Sequence, residues 1–268
     1  MKKSLYFGIK QWRRELKNLD FWIVILCAFA FLAVFFYDSG SNLYVIGDKI
    51  GVFSLFPIML SDIFFLWVIY AGFLMIACEI PLRKKGLTFE VIRMNRLSWF
   101  LGQIVYCFLM AVTYFSLLFI LGNIFYIRNL DFTTHWGKAV IEGTAFTGEL
   151  GMTYPAQILD MNAAKSCLAG FGLAVLLAMV MGMICCACNM FTQKGIGPTL
   201  CGVMLVAQIW ADAWGISCRD KLPVGVLTAF FRDEGENLSF ALGYYIVSIA
   251  ILVIIGYCVL RKTDIKEE

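Results

Sequence analysis

The sequence predicts an all-α membrane protein of six transmembrane helices, with an N-terminal amphipathic elbow helix and a short cytoplasmic helix between the second and third spans. Composition is the first ground: 61% of the 268 residues are hydrophobic and 15% charged, against about 45–50% and about 25% in soluble domains. The mean hydropathy of +0.80 makes lipid the solvent for most of the chain. Second, six runs (21–37, 52–78, 97–127, 166–190, 196–215 and 240–260) approach or exceed the roughly 20 apolar residues of a spanning helix. Third, the basic residues are asymmetric: fifteen of the 22 fall before the first run, within 79–96, at Lys194 or after the last run. By the positive-inside bias, both termini are expected to be cytoplasmic. A cytosolic enzyme, a nucleic-acid binder and a secreted disulfide scaffold are excluded.

Residues 1–20 form the interfacial helix. Leu5, Ile9, Trp12, Leu16 and Leu19 recur at helical spacing, and Lys10, Arg13, Arg14 and Lys17 occupy the remaining surface. Such a helix suits the headgroup plane; it is either a plain anchor or an elbow that transmits a push into the first span. Its polar length argues against a cleaved signal peptide. Residues 21–260 then form one membrane domain without repeats or linkers, and 261–268 a cytoplasmic tail.

The 79–96 loop is the most informative stretch. Pro81 marks the exit from the second span, Gly86 breaks the backbone, and 87–94 has the pattern of a short helix with Leu87, Val91 and Met94 on one face. It is either a lever joined to two spans or a basic loop held by anionic lipid. Glu79, Lys85-Gly86, the apolar helix, Arg96 and Leu101-Gly102-Gln103 together resemble the type 2 ABC export permeases, as does the ending Leu260-Arg261-Lys262-Thr263-Asp264-Ile265. Two positions depart from that pattern. Met94-Asn95 stands where the family often has Pro, and Gln103 replaces the usual Lys. The resemblance covers the whole chain in architecture and about thirty residues in motif. It implies a coupling helix, with Gly86, Leu87, Phe89, Ile92, Arg93 and Arg96 as the residues that engage a separate ABC ATPase subunit. It also implies a bacterial cytoplasmic (inner) membrane and a second permease copy or similar chain.

No Gly-x-x-x-x-Gly-Lys-Ser/Thr phosphate loop occurs, so ATP and Mg are expected on the partner subunit and no cofactor on this chain. The single histidine, His135, excludes a two-histidine metal site. Cys185, Cys186 and Cys188 cluster, and Cys185 and Cys188 share a helix face; as buried thiols they are expected to pack as small hydrophobes. Two acids fall within spans. Asp212, between Trp210 and Trp214, fits a solvated interfacial position. Asp62 lies about 15 Å into its run at ~1.5 Å per residue, which makes it a possible pathway-lining residue.

The 128–165 and 215–239 segments are expected outside. Pieces at 139–141 and 156–159 suggest packed elements of a lid or vestibule wall, and 222–231 a re-entrant or interfacial turn. Asp233, Glu234 and Glu236 add an acidic rim. The expected function is the transmembrane permease subunit of an ABC exporter. Its route, rich in Phe, Met and Trp, suits a hydrophobic or amphipathic substrate: a peptide toxin or bacteriocin first, then a lipid-linked glycan or drug. The alternatives are an ion-coupled secondary transporter with Asp62 at its coupling site, and a membrane scaffold or enzyme that transports nothing.

Overall fold

The computed structural model describes residues 2–80, 95–142, 156–191, 195–233 and 237–262, with 38–43, 45, 156, 191, 261 and 262 as backbone alone. The long elements are α1 (Lys2–Glu15), α2 (Leu19–Ile46), the short α3 (Leu55–Ser61) with α4 (Ile63–Ala77), α5 (Arg96–Ile124), α7 (Ala163–Phe191), α8 (Ile196–Ala213) and α10 (Leu238–Lys262). The remaining α-helices among the described residues are a four-residue one, α6 (Lys138–Ile141), and a ten-residue one, α9 (Pro223–Arg232). Among the described residues, five helices are long and apolar enough to cross a bilayer, and the bent pair α3–α4 would make a sixth. The chain is all-α in character and suited to multi-pass insertion.

The second run was expected to be continuous, yet it bends by 95°. The cause is local. Ser61 turns its hydroxyl back to the carbonyl of Ile58 at 2.8 Å, and Asp62 takes an extended backbone (φ −85°, ψ 122°). Its carboxylate then accepts the amides of Phe64 at 2.8 Å and Phe65 at 3.1 Å. An aspartate at this position satisfies amides that a new helix would otherwise leave open.

Helix α7 is the hub. Of its most apolar window 72% is buried, against 28% for α2 and α8 and 11% for α10. It packs on α3, α4, α5, α8, α9 and α10. Small residues allow close approach where no hydrophobic force separates helix from lipid. A methyl on Gly170 would meet the Phe231 ring at 2.7 Å, and one on Gly197 of α8 would meet the Cys185 Cα at 2.6 Å. Cys107, Cys167, Cys185, Cys186 and Cys201 are buried within this packing and form no disulfide, and Cys188 is half-buried.

At the end where α2 and α5 finish and α7 begins, the connections are knitted into a cap. Ile50–Gly51 (β1) pairs in parallel with Leu130–Asp131 (β2). Ser54 donates to the Trp136 carbonyl at 2.7 Å, and the Trp136 indole to that of Met161 at 2.6 Å. Ala139, Val140 and Ile158 are fully buried, so both pieces anticipated in the 128–165 loop are packed elements. Gly137, at φ +78°, brings its backbone so close that a methyl there would sit 2.6 Å from the Gly51 nitrogen. Lys138 meets Asp48 at 3.3 Å, and this hydrogen bond and charge hold its ammonium above the ordinary lysine range.

Beside the cap, α9 is inserted into the bundle. Its residues 224–231 are all buried, and the helix packs against α3, α7, α8 and α10. Asp212 departs from the solvated position expected of it. Its side chain is 17% exposed and sits 3.8 Å from Arg232 and 4.0 Å from Arg219. It also accepts the Gln208 amide at 3.1 Å. Arg232 closes the network on Asp220 at 2.8 Å. The ion pairs fasten α9 to α8 where a solvated carboxylate would fasten nothing.

Candidate functional site: the α1–α5 junction and the α2–α4 groove

Of the residues assigned to ATPase coupling, Gly86, Leu87, Phe89, Ile92 and Arg93 lie outside the described residues. Arg96 lies inside them as the first residue of α5, after Asn95 in extended conformation (φ −65°, ψ 140°). The helix thus starts where the motif-bearing segment ends.

Helix α1 docks along the first half of α5. Its buried residues are Ser4, Phe7, Gly8, Gln11 and Glu15, not the predicted apolar stripe, whose ends Leu5 and Leu19 are 53% and 71% exposed. Backbone proximity explains the difference. A methyl on Gly8 would lie 2.7 Å from the Gly102 carbonyl oxygen, and one on Gly102 would lie 2.5 Å from the Phe7 ring. Two helices this close need small residues at the crossing, so Ser4 and Gly8 take the contact, Leu5 faces outward, and Trp12 and Leu16 pack half-buried at its edge. The Trp12 indole donates to Thr113 at 2.9 Å, which extends the contact along α5. Gly102 belongs to the triplet Leu101-Gly102-Gln103, so that motif has a packing role here. Gln103 is buried, and neither atom of its side-chain amide has a hydrogen-bond partner among the described residues.

Asp62 occupies the α3–α4 corner as a cap and lines neither of the two cavities that follow. Its removal is an early test. Asp62→Ala should cost about 1 kcal/mol of stability through the lost cap, while Asn preserves much of it. If the carboxylate acts only as a cap, Asp62→Asn should keep thermal stability and membrane abundance near wild type.

Two adjoining cavities form a groove between α2 and α4. The first, about 220 Å³, is walled by Cys27, Phe31, Val68 and Gly72 and floored by Tyr114 of α5. The Tyr114 hydroxyl donates to the Ile69 carbonyl at 2.8 Å, so the floor is fixed and its polar atom is occupied. Phe31 of that wall packs its ring against Phe35 and Phe65, with centroids 4.8 and 5.3 Å away. The second cavity, about 260 Å³, shares Ile23, Val24 and Met75 with the first and carries Glu15, Asp20 and Glu79 in its lining. Cys27 is exposed and Met75 is 69% exposed, so the groove opens sideways. Sequence reasoning missed it, because Glu15, Asp20 and Glu79 are scattered along the chain and meet only when α2 packs on α4.

Among the described residues, no group of three His, Cys, Asp or Glu side chains is arranged to hold a metal ion. Compared with protein-family models, curated proteins and solved structures, the chain matches none.

Proposed function

We propose that this chain is the membrane-spanning permease subunit of an ABC exporter for a hydrophobic or amphipathic solute, energised by a separate ATPase subunit and paired with a second copy or a similar chain. The observation that supports it best is the docking of α1 on α5 directly after the motif-bearing 79–96 segment. A push delivered there reaches α5 at Arg96 and, through Gly102 and Gly8, the N-terminal helix. Both termini and the 79–96 segment are then cytoplasmic, in a bacterial inner membrane. An externally applied maleimide should label Cys218, which is exposed, and should spare a cysteine introduced at position 89 in sealed cells. Labelling at 89 would invert the topology.

An ion-coupled secondary transporter is the second reading, favoured by the broken α3–α4 span with an acid at the break. The two differ in energy source. Export that persists when a protonophore collapses the ion gradient, and stops when ATP is depleted, supports the ABC reading. The opposite pattern supports ion coupling.

A further inference from the structure

We propose that the outer face of α1 binds anionic phospholipid, and that this contact sets how firmly α1 stays docked on α5. Its consequence for transport rests on the export reading; the lipid contact does not.

Charge comes first. Lys2, Lys3, Arg13, Arg14 and Lys17 are all exposed. At ~100° per residue they fall, with Lys10, on one arc of about 120°. Among the described residues, none of these five side chains makes an ion pair. Glu15, the only acid in residues 1–19, lies on the opposite face and is buried. A face with this much uncompensated positive charge calls for an anionic partner.

Position comes second. Helix α1 ends at Glu15, and α2, long and apolar enough to span, begins at Leu19. The cations therefore sit where the chain enters lipid. Across that turn the Trp22 indole donates to the Leu16 carbonyl at 2.8 Å. Leu5, Tyr6, Leu19 and Trp22 stand beside the cations, each between 50% and 72% exposed. Apolar and aromatic side chains interleaved with Lys and Arg suit the boundary of heads and tails, where the charged ends reach phosphates. Basic clusters of about four to eight residues beside a span bind anionic lipid in this way. A soluble acidic partner would leave the apolar side chains in water.

The seam with α5 comes third. Ser4 and Gln11, on the docking face, are each 4% exposed. Neither the Ser4 hydroxyl nor the Gln11 amide has a hydrogen-bond partner among the described residues. A helix that buries hydroxyl and amide in place of apolar surface gains little by docking. The docking of α1 therefore draws on its other face, where anionic lipid supplies the attraction.

The test uses the full chain in nanodiscs of phosphatidylcholine, alone or mixed with phosphatidylglycerol. Two quantities are read: crosslinking to photoreactive analogues of the two lipids, and hydrogen exchange of the α1 amides. The phosphatidylglycerol analogue should label 2–17 preferentially. The mixed discs should slow α1 exchange about tenfold, a shift that high salt removes. Lys2→Gln, Lys3→Gln, Arg13→Gln, Arg14→Gln and Lys17→Gln together should abolish both effects, while Arg13→Lys with Arg14→Lys keeps them. In phosphatidylcholine alone, Ser4→Ala with Gln11→Met should slow α1 exchange, because the seam is then apolar. Equal labelling by the two analogues, or α1 exchange indifferent to phosphatidylglycerol, would overturn the proposal. So would equal protection by glycerol phosphate dissolved in the buffer, which would make the partner a free anion. Exchange unchanged or faster in the Ser4/Gln11 variant would refute the weak seam. No arm needs an ATPase, so failure here leaves the export reading to its own tests.

Discussion

Replacing Phe89 and Ile92 together by alanine is expected to abolish ATP-driven export while leaving the protein inserted at normal abundance. Helix-in-groove docking concentrates its free energy in a few anchors, with aromatic residues prominent among them. Phe89→Ala alone should cost about 2 kcal/mol of ATPase docking, roughly a thirtyfold loss of affinity. Adding Ile92→Ala should take the complex below working concentrations. Neither residue falls in one of the six long apolar runs of the sequence, so insertion has no reason to fail. If 79–96 were instead a loop held by lipid, these changes would have little effect, and neutralising Arg83, Lys84 and Lys85 would disturb orientation. The measurement is export alongside the amount of ATPase that co-purifies, at matched membrane abundance.

Gly102→Leu is expected to have the second-largest effect, by prising α1 away from α5. The position admits no side chain, since even a methyl would lie 2.5 Å from the Phe7 ring and 3.2 Å from the Ser4 carbonyl oxygen. Overpacking of this kind costs roughly 1–3 kcal/mol, and here strain can be released by undocking one short helix. A nitroxide or fluorophore on α1 should report increased mobility, and protease access near residue 16 should rise. Export should fall in step if α1 acts as an elbow. Phe7→Ala in the same chain opens space beside position 102 and should restore part of the docking. If α1 were only an anchor, its mobility would rise with export unchanged.

That several long apolar helices run through the chain was legible because it rests on apolar run length, although the helix of the first run continues well past residue 37, to Ile46. The second run hid its break. A lone Asp62 among apolar residues looks like an intramembrane acid, and only the Phe64 and Phe65 amides reveal it as the start of a new helix. The centrality of α7 was hidden for another reason. A helix apolar on every side has no periodicity to show which face is buried, although its density of Ala, Gly and Cys hints at close packing. For α1 the apolar stripe outshone the pair Ser4 and Gly8, which proved to be the docking face. The groove needed the α2–α4 contact, which no local pattern encodes.

The most direct test of the central claim is affinity purification of the tagged full-length chain from its native membrane, followed by identification of what comes with it and assay of ATP hydrolysis. The account predicts a stoichiometric ATPase subunit bearing a phosphate loop, encoded beside this chain. That subunit should vanish from the preparation with the Phe89/Ile92 double substitution, and the ATPase activity should go with it. A chain that exports its solute without any such subunit, or that hydrolyses ATP specifically when rigorously isolated, would contradict the account.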